Sequence, residues 1–291
     1  MRRNYVGGYG QHFAVLQAWV MSLHVISQLA EIGAFAQALR RYRTARRMSQ
    51  LQLALACGVS ARHVSFLETG RALPSRDMVL QLAAGLVVPL GAQNALLQAA
   101  GFAPVYPASA LDSDALGPFR AVLTEMMARH APNPALLCDR HWNMRDANVS
   151  AQTLLAPLAE DGEINMVRML ARSPKAEAFI ANYPEVLEEM SARIQLEALE
   201  AGDDLFMREL IDDLDRAIAR HPQHKSGTRR TPLVPIVLNA PGGQLSFLSA
   251  IAHFGTSEDV TVRDLRLELL FPADEQTRAA IAALAETLQS A

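Results

Sequence analysis

Apolar residues in the first third of the chain fall at helical spacing, in five short runs separated by turn signals. Phe35, Leu39 and Tyr42 mark a helix over about 34–47, with Arg40, Arg41, Arg43, Arg46 and Arg47 elsewhere on its circumference. A second helix starts at Ser49, whose spacing to Gln52 is that of a capping box. It buries Leu53 and Ala54 and stops at Gly58, a residue able to turn tightly with positive φ. Ser60 caps a third helix with Val64 and Leu67 on its core side, and Ser75 caps a fourth through about Leu86. A fifth runs from about Ala92 to Ala100 and ends at Gly101.

Residues 102–117 open with FAPVYPASALDSDA, a Pro-, Ala- and Ser-rich composition that predicts a linker. A helix follows from about Pro118 to Arg129. PALLCDRHWNMRDAN then reads as two short strands around an Asp139-Arg140 turn, with Asn148 capping the next helix. From there to His221 the pattern is helical and acidic, with EVLEEM, LEALEAGDD and ELIDDLD as solvated faces. After Thr231 the period changes, and PLVPIVL, QLSFLSAIAHF and VTVRDLRLELLF predict three antiparallel strands. In the last of them Leu265, Leu267, Leu269 and Phe271 alternate with Arg266, Glu268 and Leu270, a period-two strand with one buried face. A closing helix spans about Asp274 to Leu288. The fold class is α+β in two domains, an all-α five-helix domain followed by an antiparallel sheet with helices.

Composition adds one distinction. Of the 291 residues, 50% are hydrophobic and 20% charged, which is globular and not disordered. The net charge of −3 hides an asymmetry: residues 33–104 hold eight Arg, no Lys and two acids, giving +6, while 105–291 carry −10. One domain is built to face a polyanion and the other is not.

Two short helices joined by a glycine turn inside a five-helix unit form a helix-turn-helix reader. The N-terminal side chains of its third helix, which meet base edges in the major groove, are Ser60, Ala61, Arg62, His63 and Ser65. Arg62 suits a bidentate contact to guanine, and Ser60 and Ser65 are permissive hydrogen-bonders. Gln50 and the first N–H groups of the second helix are expected at one phosphate, and Arg71, in the loop after Gly70, at another. The stretch from MSQLQLA to FLETGRALPS, with Gln50, Ala54, Gly58, Val64, Glu68, Gly70 and Pro74, resembles the Xre/Cro-type helix-turn-helix of phage and bacterial repressors. The resemblance covers about 70 residues. It implies a structural ion pair between Arg43 and Glu68.

Two strands near the start of the second domain, three at its end and helices between them suggest a sensor of PAS type. PALLCDRHWNMRDAN behind a helix-turn-helix is similar to MmyB-like transcription regulators, over about 131–172 and again over the closing strands. That resemblance implies a small apolar ligand, most plausibly a fatty acid, enclosed between sheet and helices. Trp142, Met144, Met166, Met169, Ile236, Phe247 and Leu267 are candidate lining residues, and Arg168 a candidate partner for a ligand carboxylate. The row Leu265, Leu267, Leu269 and Phe271 is expected to be covered by the Met166 and Met169 helix, whose side chains are adaptable.

Other chemistry is not signalled. Cys57 and Cys138 lie 81 positions apart, so they form no framework, and a reducing cytoplasm is the natural setting. His221 and His224 have no third ligand near them, and no Gly-Lys-Ser phosphate loop or Gly-x-Ser-x-Gly elbow is present. Between Arg3 and Glu31 there is no Asp, Glu, Lys or Arg. Gln17, Ser22, His24 and Gln28 interrupt this stretch, so it is read as a packed helix through Val15, Trp19, Val20, Leu23, Ile26 and Ala30, and neither a membrane span nor a secretory signal.

The expected organisation is an N-terminal helical extension over 1–32, a helix-turn-helix domain over 33–101, a linker over 102–117 and a PAS-like ligand-binding domain over 118–291. The expected protein is a cytoplasmic, non-enzymatic, homodimeric regulator of double-stranded DNA, with no metal and no cofactor beyond a bound fatty acid. Two alternatives stay open: the C-terminal half as a ligand-free dimerisation or protein-interaction module, or as an enzyme acting on a small apolar substrate.

Overall fold

The computed structural model describes residues 33–158, 162–201, 204–222 and 234–289. The charge-free N-terminal stretch, His224 and the first residues of PLVPIVL lie outside the described residues. The chain forms two compact units, one running up to Val105 and one built from Tyr106–Glu200 and from Asp204 onward.

The first unit is five helices: α1 (33–45), α2 (Gln50–Ala56), α3 (Ala61–Glu68), α4 (Arg76–Gly85) and α5 (Leu90–Ala99). Three of the four turns into these helices are set by serine. Ser49 accepts from Gln52 N at 3.1 Å while Gln52 Oε1 accepts from Ser49 N at 2.7 Å, the two halves of a capping box. Ser60 accepts from His63 N and Ser75 from Met78 N, each satisfying an orphan helical donor worth about 1 kcal/mol. Gly58 takes φ +62° between α2 and α3, the left-handed conformation the tight turn needs. Phe35, Leu39, Leu53, Val64, Leu67, Val79, Leu82, Leu96 and Leu97 close over one core. Helix α4 meets α2 where Cys57 lies against Gly85: a β-carbon on Gly85 would stand 2.4 Å from the Cys57 sulfur.

The second unit starts with a 3₁₀ turn (Asp114–Leu116) and α6 (Gly117–His130). β1 (Ala135–Cys138) and β2 (Met144–Ala147) follow, then α7 (Val149–Leu155), α8 (Met166–Arg172), α9 (Pro174–Phe179), α10 (Tyr183–Ala201) and α11 (Leu205–Ile218). The chain returns through β3 (Ile236–Ala240), β4 (Gly243–His253), α12 (Val260–Asp264), β5 (Arg266–Pro272) and α13 (Glu275–Gln289). The sheet is antiparallel throughout, in the order β2-β1-β5-β4-β3, so the last strand lies at its centre. Asn148 caps α7 as expected, accepting from Ala151 N at 3.0 Å.

Three expectations need correction. β5 does not have one buried and one solvated face: Arg266 and Glu268 are as buried as Leu265 and Leu267, because helices cover both sides of the sheet, while Phe271 is 43% exposed. Leu265 and Leu267 pack with Leu123 and Met127 of α6; Leu270 and Phe247 face the opposite side, toward α8, α10 and α11. Val260–Asp264 is a helix and not the start of a strand, since Asp259 accepts from Thr261 N and Val262 N and so outweighs the β-branched run. The expected linker is fastened beyond Tyr106. Pro107 O accepts from Val260 N, Ser109 N donates to Asp259, and Arg120 donates to the carbonyls of Leu111 and Ser113.

The start of α11 is tied to the β1–β2 connection through Asp204. Its Oδ1 caps Phe206 N and Met207 N, and its Oδ2 accepts from Arg140 Nη2 at 2.7 Å and lies 2.8 Å from His141 Nε2. Burial raises the Asp204 carboxyl, but the His141 hydrogen bond, the charges of Arg140 and His141 and the Met207 N–H outweigh it and hold it at about 2.

Two outcomes follow. An alanine at a helical glycine ordinarily gains up to about 1 kcal/mol, whereas Gly85→Ala is expected to lose about 1–3 kcal/mol by overpacking. A double-mutant cycle with Cys57→Ala, read by urea unfolding, should recover most of that loss; a stabilising Gly85→Ala would refute the close approach. The depressed Asp204 group contributes stability that is present above its ordinary value near 3.8 and lost as pH falls through about 2. Acid unfolding of Asp204→Asn should therefore lack that part of the pH dependence, while wild type shows it.

Candidate functional site

In the first unit the reading helix is held from behind by ions. Arg43 Nε and Nη2 donate to the two carboxylate oxygens of Glu68 at 2.5 and 3.0 Å, and Nη1 donates to Met48 O at 2.6 Å. The pair implied by the family resemblance is thus present, with the Glu68 side chain 2% exposed. Gln50 belongs to this anchor as well, because its amide donates to Glu68 Oε2 at 2.8 Å. Its hydrogen bond joins α2 to the α1–α3 pair. Burial opposes the shift, yet the Glu68 hydrogen bond, the largest influence, raises the Arg43 guanidinium above its ordinary value.

The other predicted DNA-contacting residues lie at the surface. Arg62 is exposed, its guanidinium 5.1 Å from the Phe66 ring centroid one turn along α3, a stacking that limits its rotamers. Ser60 is exposed, His63 and Ser65 are half-buried, and Ala61 packs partly against the core. Arg71 is exposed just after Gly70, its own N–H bound to Phe66 O at 2.8 Å. With Glu68 consumed by Arg43, the charge that remains at the surface of this unit is overwhelmingly cationic, as Arg40, Arg47 and Arg76 are exposed too.

In the second unit the predicted lining residues divide. Trp142, Met169 and Phe247 are buried in one cluster on the inner sheet face, with Met166 and Ile236 packed against it. Met144 lies beside Leu136 and Ala147, where Met166 also reaches. Leu267 is on the other face, under α6, so it cannot share a cavity with these residues. Arg168 is already engaged: Nη2 donates to Glu209 at 2.8 Å, Nε is 3.6 Å from Asp213, and the guanidinium sits over Phe206 at 4.6 Å.

A polar network on the inner face was not predicted. Arg266 and Glu268 of β5 point the same way, toward Glu189, Arg193 and Glu197 of α10. Arg266 Nη1 donates to Glu197 Oε2 at 2.6 Å, Trp142 Nε1 donates to the same oxygen at 2.9 Å, and Arg266 Nη2 donates to Arg140 O at 3.2 Å. The Arg266 guanidinium lies 4.7 Å, and that of Arg193 5.7 Å, from the Trp142 ring centroid. Ser249 Oγ donates to Glu268 at 2.6 Å. Burial pushes the Glu268 carboxyl up, against the Ser249 hydrogen bond and the charges of Arg193 and Arg266. The signal was in the sequence: Glu189, Arg193 and Glu197 fall at i, i+4 and i+8, one face of a helix.

On the outer face a cleft of about 450 Å³ is lined by Leu111, Asp112, Arg120, Leu123, Thr124, Leu137, Arg145 and Asp146. Its two arginines are committed, Arg120 to backbone carbonyls and Arg145 to Asp139. Cys57 and Cys138 are free thiols, both buried; burial pushes Cys138 up to about 12, which makes it a poor nucleophile. His221 stacks on Tyr183 and lies 3.9 Å from Glu177. Among the described residues no three His, Cys, Asp or Glu side chains could hold a metal ion, and no helix is long and apolar enough to cross a membrane.

A model of the MmyB-like transcription regulator ligand binding domain matches residues 119–284, and a helix-turn-helix model matches residues 39–92. The first covers more than half of the chain, and the chain belongs to that family. It carries the parts of a ligand-regulated transcription regulator, a helix-turn-helix followed by a ligand-binding domain. The comparison with curated proteins gives no match. A solved structure of an RNA-binding light-oxygen-voltage receptor is 15% identical over the whole of this chain and 70% of that one. Its TM-score of 0.23 carries no argument about fold or function.

Their places in the motif give the two exposed arginines different expected roles. Arg62→Ala is expected to cost about 1–3 kcal/mol of DNA affinity and relax the preference at one base position. Arg71→Ala should weaken all sequences alike and reduce the salt slope by about 0.9. Fluorescence anisotropy over a salt series, on a selected site and on single-position variants of it, distinguishes them; unchanged base preference in Arg62→Ala would place the reading contact elsewhere.

Proposed function

We propose that the chain is a homodimeric, sequence-specific DNA-binding regulator whose binding is set by a small apolar ligand, a fatty acid in the first instance, held in the PAS-like second unit. The observation that carries this reading is the conjunction in one chain of an exposed Arg62 reading helix and a ligand-binding-family domain whose inner sheet face is lined by Trp142, Met169 and Phe247. An acyl chain suits that layer because each buried methylene is worth about 0.8 kcal/mol and asks for no polar partner. Methionine and leucine side chains of α8 and α11 can repack around it. A ligand alters DNA binding only through a difference in its affinity for the two states of the dimer.

A second reading, the unit as a ligand-free dimerisation module, has its own support in the exposed leucines Leu196 and Leu199 of α10 and Leu205 of α11. A face of that kind serves a second copy of the chain in either reading.

The test is to extract the purified protein with organic solvent, identify any lipid released, and titrate saturated fatty acids of increasing length into the stripped protein. Binding should rise with chain length, raise the melting temperature, and change affinity for the selected DNA site by about 5- to 150-fold. No released lipid, no thermal shift and no change in DNA affinity would leave the dimerisation module.

A further inference from the structure

β4 is longer than the strand beside it. β3 pairs with it only from Ala240↔Gly243 to Ile236↔Phe247, whereas on the other side β5 follows it as far as His253 without a break in register. Ser246 O accepts from Ala273 N beyond β5, so by strand alternation the even-numbered residues of β4 aim at β5 and the odd-numbered ones at β3. Past Phe247 the backbone N–H and C=O groups of Ser249, Ile251 and His253 therefore point off the sheet, and among the described residues nothing bonds to them. The other margins are closed. Val237 of β3 is bonded by Ala181 N and by the Asn182 side chain; β2 carries Arg145 and Asp146, and its Met144 N–H goes to Ile164 O. Charges, prolines and early caps are how sheet edges are kept from pairing. Gly243–His253 contains no Asp, Glu, Lys, Arg or Pro.

We propose that this margin of β4 pairs with the same margin of a second copy of the chain, antiparallel about a two-fold axis at Ile251. The proposal rests on the homodimeric reading above and names its interface. Hydrogen bonding fixes the register: with Ile251 opposite its twin, Ser249 faces the partner's His253, and every outward N–H meets a C=O. A shift by one pair leaves groups unmet at both ends. Like meets like without penalty, because the stretch has no charged side chain to oppose its twin, and two β-branched Ile251 side chains make a favourable cross-strand pair. The chain turns at Gly255, so the incoming strand ends before it would meet β3, and Val234, the next β3-side residue, already lies outside the ladder. The chain's own upstream segment is the poorer occupant. Continued in register, β3 would set Pro232 opposite Ile251, and proline has no N–H to give. Pairing through β4 joins the two five-stranded sheets edge to edge.

The test is sedimentation equilibrium of the full chain without DNA, where a dimer is expected at micromolar concentration. Ala250→Lys puts a charge on an exposed position of the margin. It should raise the dimer Kd at least about tenfold and leave the unfolding curve of dilute protein unchanged. Ile251→Cys sets twin thiols on opposed Cα atoms about 5.5 Å apart, within disulfide range, so mild oxidation should give a covalent dimer. The native Cys57 and Cys138 are buried and add little background, and Gln244→Cys, in the stretch already paired with β3, should not cross-link. A chain that is monomeric off DNA overturns the pairing. So does a dimer that Ala250→Lys leaves intact or that Ile251→Cys fails to cross-link; that outcome keeps the homodimeric reading, and loss of the dimer in Leu196→Asp would then place its interface on α10. One copy per selected DNA site, from sedimentation of the complex, overturns the homodimeric reading as well.

Discussion

Arg266 and Glu268 stand two residues apart on the central strand, so both side chains enter the same face, and that face is covered by helices. Removing an unpaired charge from water costs several kcal/mol, and the cost falls on whichever element must supply the compensation. Here it falls on α10, where Glu197 accepts from Arg266 and the charge of Arg193, itself bonded to Glu189, favours ionised Glu268. Ser249, on the neighbouring strand, donates to one oxygen of Glu268. The rotation of α10 about its axis is thereby set by these charges together with its buried Leu187 and Ile194. A one-residue slip of β5 would drive Leu265 and Leu267 out of the α6 interface and strand both ions at once, so register and helix placement are specified together.

The helix-turn-helix unit solves a smaller version of the same problem. Glu68 is buried at the end of the reading helix, and Arg43 with Gln50 meets it from two other helices. Because this pair is shielded, salt screens it little, whereas any contact the exposed Arg62 and Arg71 make to a phosphate is one that salt weakens strongly. The domain therefore keeps its shape under ionic conditions that change its grip on DNA.

Much of the first unit was legible because its signals are local. Ser49, Ser60 and Ser75 each bond to an N–H within three residues, and Gly58 serves a turn it belongs to, so spacing alone places three helices. The second unit was legible in element type but not in burial. Period-two alternation in β5 says which residues share a face and nothing about whether the second face is covered; that depends on α10, some seventy positions away in sequence. The intramolecular partners of Arg168 and Gln50, Glu209 with Asp213 and Glu68, were not legible for the same reason, since they come from other helices. The Arg266–Glu197–Trp142 network went unread because a charged residue on a strand is ordinarily at the surface.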